Sequence, residues 1–269
     1  MGTQRYNLQD LLRVMQRLRD PEHGCPWDLR QDFRSIVPST LEECYELAEA
    51  IEQGDFEHVA EELGDVLFQV VFYAQLGSEA DLFDFAQVVN TLVEKLLRRH
   101  PHVFADGLIE GVVREEASID QVSHTWEAIK QAEREGKSRG GVLDDVPTAL
   151  PALPRAQKLQ KRAARVNFDW PGVEGAVRKL EEELVELQQA MDGGEREQVE
   201  DEMGDVLFTC ANISRHLGID AESSLRMACA KFEARFREME RLAAQGGQTL
   251  DGLSPERREA LWQRAKAAC

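Results

Sequence analysis

Apolar residues recur along this chain mainly at steps of three and four, the spacing that gives an α-helix one apolar face. Leu8, Leu11, Leu12, Met15 and Leu18 mark a first helix, and Asp20-Pro21 ends it, because a residue before proline avoids the α region. Residues 22–28 form a loop with Gly24, Pro26 and an exposed-looking Trp27. Ser39 or Thr40 reads as the N-cap of a second helix that carries Glu42, Glu43 and Glu46 and breaks at Gly54-Asp55. A third helix starts near Phe56 and runs through Glu62 and Asp65 into Val66-Leu67-Phe68 and Val70-Val71-Phe72. That β-branched, aromatic stretch also suits a buried strand, but its length and acidic start favour helix. Residues 85–99 make a fourth helix, stopped at His100-Pro101, and residues 110–135 a fifth that contains Trp126.

A Lys/Ser/Arg/Gly run over residues 135–141, continued by Pro147, Pro151 and Pro154, has the composition of a linker. The expected division is therefore a domain at 1–135, a linker at 136–154 and a domain at 155–269. The second half opens with a basic helix over 155–165, then Asn167-Phe168-Asp169-Trp170-Pro171. Val177, Leu180, Leu184, Leu187 and Met191 form an amphipathic stripe, with Glu183 and Glu186 along one edge. Gly193-Gly194 turns the chain into a helix bearing Glu202 and Asp205, and a long charged helix over 221–244 includes Lys231, Arg235 and Arg237. With few convincing strands, the expected fold is all-α.

The two halves share more than a fold class. Glu43, Glu46, Glu62 and Asp65 stand 140 positions before Glu183, Glu186, Glu202 and Asp205, and Gly64-Asp65-Val66-Leu67-Phe68 recurs as Gly204-Asp205-Val206-Leu207-Phe208. Solvated surface charge has no reason to keep that register, so the repeat implies two related domains. Residues three apart project from one helix face, and two such helices side by side would gather four carboxylates. Four clustered carboxylates repel one another unless a cation joins them, and an oxygen-only set suits Mg²⁺, with Mn²⁺ as a substitute.

Charge and cysteine usage narrow the setting. There are 32 basic and 50 acidic residues, a formal charge of −18, which disfavours nucleic-acid and anionic-membrane binding. Cys25, Cys44, Cys210, Cys229 and Cys269 are an odd, scattered set without CxxC spacing and read as reduced thiols in the cytoplasm. No apolar run approaches the ~20 residues that span a bilayer. His100 and His102 flank Pro101 at a helix end, where a structural role accounts for them without a metal.

The halves also differ. Asn212 lies two turns after Asp205 on nearly the same face, where an amide could reach a base or sugar; the matching position holds Phe72. Lys179 precedes Glu183 by one turn, and Lys231 with Arg235 offers cations for phosphate oxygens. The first half has Lys95, Arg98 and Arg99 in a comparable place. The second half is therefore the expected active site.

Gly24-Cys25-Pro26-Trp27-Asp28, the two Glu-Glu-x-x-Glu/Glu-x-x-Asp sets, Arg98-Arg99-His100-Pro101-His102-Val103-Phe104, and Arg155-Ala156-Gln157-Lys158 leading to Phe168-Asp169-Trp170 resemble the MazG family of nucleoside triphosphate pyrophosphohydrolases in its two-domain bacterial form. The acidic sets alone are shared with dimeric dUTPases and phosphoribosyl-ATP pyrophosphohydrolases. The resemblance implies repeated helical domains whose four-helix bundles are completed by dimerisation, and Mg²⁺-dependent hydrolysis of NTPs or dNTPs to the monophosphate and pyrophosphate. It carries metal ligation onto Glu183, Glu186, Glu202 and Asp205, with an intact copy at Glu43, Glu46, Glu62 and Asp65. Nucleotide contacts are implied at Lys179, Lys231, Arg235 and Trp262. The expected route is attack of a metal-activated water on the α-phosphorus, with Glu182, Glu183 and Glu186 as the catalytic carboxylates. The competing expectations are a metal-loaded helical scaffold or regulatory partner without turnover, and an enzyme of the same chemistry restricted to one nucleotide such as dUTP.

Overall fold

The structure is a computed structural model that describes residues 5–112, 118–135, 141–144 and 146–268. The chain divides into two compact units, Met1–Ser138 and Arg139–Cys269. Residues 136–140 and 145 of the expected linker lie outside the described residues, as does Cys269. Among the described residues all regular structure is helical.

The first unit contains α1 (Leu8–Leu18), α2 (Val37–Gln53), α3 (Phe56–Glu79), α4 (Phe85–Arg99) and α5 (Ile119–Glu135), with short 3-10 turns at Asp28–Arg30 and Ala105–Gly107. The second contains α6 (Ala152–Ala164), α7 (Val173–Gly193), α8 (Arg196–His216), α9 (Ala221–Gln245) and α10 (Pro255–Ala268). In each unit one antiparallel helix pair forms the centre, α2 with α3 and α7 with α8. A preceding helix leans on the second member of that pair: α1 on α3, and α6 on α8. The structural repeat is thus longer than the acidic motifs, since α6 occupies the role of α1 and α10 closes on α9 as α5 closes on α4. Even the turn is copied. Gly54 and Gly194 cap α2 and α7 with φ of 72° and 74°, a left-handed conformation that glycine adopts at no steric cost.

Of three local expectations the first holds and two change. The β-branched stretch of residues 66–72 is helix throughout, inside α3. The second helix begins at Val37, after Ile36, and has no side-chain cap. Pro38 in its first turn supplies the helical φ that a cap would otherwise help to set, and Thr40 instead donates its hydroxyl to the Ile36 carbonyl at 3.1 Å. The fifth helix starts at Ile119 rather than near residue 110. Gly111 lies so close to the Ala105 backbone that a Cβ would sit 2.2 Å from the Ala105 oxygen, so the chain folds back there before the helix begins.

The cores differ in grain. Met15, Ile36, Val71, Phe72 and Leu76 form one buried cluster in the first unit, and the Arg19 guanidinium stands 5.4 Å from the Phe72 ring centre. Buried apolar positions of the second unit are mostly alanine, including Ala156, Ala176, Ala190, Ala211 and Ala243. Small side chains let helices approach closely. The expected α7 stripe is then divided: Leu187 is buried, but Leu184 and Met191 are 51% and 56% exposed.

Candidate metal and nucleotide site

Each central helix pair brings three glutamates together. Carboxylate oxygens of Glu43, Glu46 and Glu62 lie within 4.8 Å of one another, and so do those of Glu183, Glu186 and Glu202. Two members come from the first helix of each pair at i and i+3, and the third from the antiparallel neighbour. Asp65 and Asp205, one turn beyond the third glutamate, are exposed and stand outside these tight sets. Asp65 is nonetheless close enough to matter: burial, then the charges of Asp65, Glu46 and Glu62, push the Glu43 carboxyl above its ordinary range.

The second-unit set carries its own cation. Lys179 Nζ lies 2.6 Å from Glu182 Oε1, 3.0 Å from Glu183 Oε1 and 3.7 Å from Glu186 Oε2. These contacts, with Glu182 first and Glu183 next, raise the lysine pKa well above its usual value. Glu183 is 4% exposed, and such a carboxylate needs a partner. The Glu186 carboxyl is pushed above its ordinary range chiefly by its contact with the Glu183 carboxylate, then by burial. Glu182 faces solvent.

The first-unit set has a different arrangement. Its buried member is Glu62, 7% exposed, and Glu62 Oε1 lies 2.7 Å from His58 Nε2 one turn earlier on α3. Glu62 Oε2 is buried without a hydrogen-bond partner. An orphaned buried oxygen beside two further carboxylates, all oxygen donors, fits a hard divalent cation. The His58 pairing was not anticipated, although its i,i+4 spacing is visible in the sequence.

The remaining expected residues are spread over α8 to α10. Asn212 is 4% exposed, and its Oδ1 accepts a 2.8 Å hydrogen bond from Arg215 Nε. Arg215 also pairs with Asp169 at 2.6 Å, and His216 Nε2 lies 3.1 Å from the same oxygen. Burial opposes ionisation of Asp169, but Arg215 and then His216 hold its carboxyl below the usual range. This network, absent from the sequence expectations, anchors Phe168-Asp169-Trp170 onto α8. Lys231 is exposed on α9, Arg235 is half-buried, and Trp262 on α10 packs at 5.5 Å from the Phe232 ring. Among the described residues no ion pair joins Lys231 or Arg235 to the glutamates. In the first unit, Arg98 and Arg99 are tied to Glu133 of α5 at 2.7 and 2.5 Å. His100 sits at the end of α4, with Nδ1 2.7 Å from the Leu96 carbonyl oxygen and its ring edge-on to Trp126.

The same two helix pairs carry the similarity to known proteins. The model of the MazG nucleotide pyrophosphohydrolase domain matches residues 31–104 and again residues 172–239, spans that contain both acidic sets. A nucleoside triphosphate pyrophosphohydrolase of Escherichia coli (strain K12) is 48% identical over 260 residues, 95% of each chain. A nucleoside triphosphate pyrophosphohydrolase/pyrophosphatase MazG of Thermotoga maritima is 43% identical over 258 residues, 96% of this chain and 95% of that one. An uncharacterized protein, YabN of Bacillus subtilis, is 41% identical over 94% of this chain but only 50% of its own. A domain match in each unit, with near-full-length relatives, establishes that the chain belongs to the MazG nucleotide pyrophosphohydrolase family.

Proposed function

We propose that the chain hydrolyses nucleoside triphosphates to the monophosphate and pyrophosphate, using Mg²⁺, or Mn²⁺ in its place, bound in the second unit. The observation that carries this reading is the convergence of Glu183, Glu186 and Glu202 within 4.8 Å beside Lys179. Asp205, one turn from Glu202, would be the fourth carboxylate to hold the cation. The family and the names of the near-full-length relatives support the activity. A divalent cation bound there supplies charge neutralisation at the phosphates and a lowered pKa for water.

The chain's own residues do the rest. Glu183 and Glu186 hold and orient the reacting centre, and Glu182, the solvent-facing member, takes a proton from water as its oxygen attacks the α-phosphorus. The bond from that phosphorus to the α–β bridging oxygen breaks, and pyrophosphate leaves. Lys179 and Arg235 serve the phosphates, with exposed Lys231 at the entrance, and Trp262 offers an aromatic face to the base. Asn212, whose Oδ1 is committed to Arg215, acts on the nucleotide through its remaining amide donor.

Exposed apolar side chains on the central helices, such as Leu184, Leu207 and Phe208, support a homodimer that covers them and completes the bundles. The charge of −18 argues against nucleic acid as a partner. No described helix is long and apolar enough to cross a membrane, and Cys25, Cys44, Cys210 and Cys229 are free thiols, in keeping with a cytoplasmic setting. The test is product analysis on a panel of NTPs and dNTPs with Mg²⁺. Pyrophosphate and monophosphate from several nucleotides are expected. Turnover of dUTP alone would make it a single-nucleotide enzyme, orthophosphate would move the attack to the γ-phosphorus, and no turnover would leave a metal-binding scaffold.

A further inference from the structure

We infer that Lys179 is a resident counter-cation that competes with divalent metal for Glu183 and Glu186, so that the second-unit site fills with metal together with nucleotide, whereas the first-unit site fills with metal alone. This rests on the proposed metal and nucleotide chemistry. The geometry behind it is a contrast at one register position. Lys179 Nζ reaches three carboxylates of its site at 2.6, 3.0 and 3.7 Å, and the matching residue 140 positions earlier is Ser39, which has no charge to offer.

A lysine in that place does two opposed things. It relieves the repulsion among the glutamates, which keeps the empty site folded, and its positive charge repels an incoming cation. An ammonium on a flexible four-carbon stem can leave the carboxylates for another anion. A triphosphate arriving with its metal offers such an anion, so Lys179 exchanges carboxylate for phosphate as the metal takes its place. Metal and nucleotide then bind the second unit cooperatively, each making room for the other.

Among the described residues no ammonium or guanidinium is paired with Glu43, Glu46 or Glu62 of the first unit. Its buried carboxylate leans on His58 through one oxygen only, and the other, Glu62 Oε2, has no hydrogen-bond partner. That oxygen lies in a side chain more than nine-tenths buried, and it can be satisfied by a metal without anything being displaced.

The experiment is Mn²⁺ binding to the full chain, followed by electron paramagnetic resonance, with and without α,β-methylene ATP. Without nucleotide, the wild type is expected to bind Mn²⁺ at the first-unit set only: Glu62→Gln removes the binding and Glu183→Gln does not. With nucleotide a second class of sites appears, sensitive to Glu183→Gln. In Lys179→Met that second class is expected without nucleotide, tighter by about tenfold or more. Lys179→Arg keeps the charge and is expected to match the wild type, and Lys179→Gln repeats the neutral case if methionine disturbs folding. Equal filling of both sets by Mn²⁺ alone in the wild type would overturn the inference, as would isotherms unchanged in both neutral variants. Absence of Mn²⁺ binding in every variant, with nucleotide present, would instead remove the metal reading on which it rests.

Discussion

The two acidic sites keep one register yet bury different carboxylates. In the first unit the buried member is Glu62 on α3; in the second it is Glu183 on α7, while Glu202, the counterpart of Glu62, is half-exposed. In both cases the buried glutamate is the one with a basic residue four positions before it, His58 in one unit and Lys179 in the other. A buried carboxylate is tolerated only where a partner offsets its desolvation. The repeat therefore keeps the ligands in register, while the placement of one basic side chain goes with which ligand is inside. The largest expected effect follows directly. Glu183→Ala should lower kcat/KM for pyrophosphate release by roughly 10³-fold, whereas Glu43→Ala should leave most of it. Comparable losses from both variants would mean that both sites turn over substrate and that the cation difference does not separate them.

Much of this was legible from residues alone. The helices, the repeat and the metal-type carboxylates follow from periodicity and from an offset of 140, because helical spacing and ligand spacing are both local. What was not legible depends on contacts between distant segments. Nothing in the order of residues announces that Arg215 will join Asp169 to Asn212, or that Arg98 and Arg99 will be taken up by Glu133. The α7 stripe misled for a related reason. Its apolar period is real, but Ala176 and Ala190 share the buried side with Leu187, while Val177, Leu184 and Met191 are exposed.

The matched pair Phe72 and Asn212 sharpens the comparison at the next size of effect. Both are buried on the second helix of their central pair, one at 1% in an apolar cluster and the other at 4% in a polar network. Phe72→Ala should cost the first unit about 3–5 kcal/mol by leaving a cavity. Asn212→Ala should cost the second about 1–3 kcal/mol by leaving the part-buried Arg215 Nε without its acceptor. Urea unfolding of the two variants checks both values. A larger cost for Asn212→Ala would make the polar network, rather than apolar packing, the dominant support of its unit.

The closures of α4 on α5 and of α9 on α10 differ in kind: the first adds an ion-pair cluster to the His100–Trp126 ring contact, and the second rests on rings. Arg99 first, then Arg98, lower the Glu133 carboxyl from 4.5 to about 2, whereas Phe232 and Trp262 meet ring to ring. A carboxylate whose folded pKa is depressed stabilises the fold above its unfolded value and loses that contribution as pH falls toward the folded one. Glu133→Gln should therefore cost about 1 kcal/mol near neutrality, with the difference from wild type fading between pH 4.5 and about 2. A difference that persisted unchanged below pH 3 would show that the variant disturbs packing and not charge.

The smallest effect concerns a position the two units have in common. Gly64 and Gly204 lie mid-helix in α3 and α8, each directly before the site aspartate, and a Cβ at either would meet nothing within 4 Å. A glycine inside a helix costs about 0.5–1 kcal/mol relative to alanine, so nothing within the chain explains its presence twice. For the single chain, Gly64→Ala and Gly204→Ala are each expected to raise the unfolding free energy by that amount. Measured in dilute solution, the gain should be equal in the two units, because their local surroundings are equally open. If the gain disappears only when protein concentration is raised, the missing neighbour is a second copy whose backbone comes against the glycine. If it survives concentration but Gly204→Ala alone weakens nucleotide binding, the neighbour is the substrate, and the two sites part company at a residue they share.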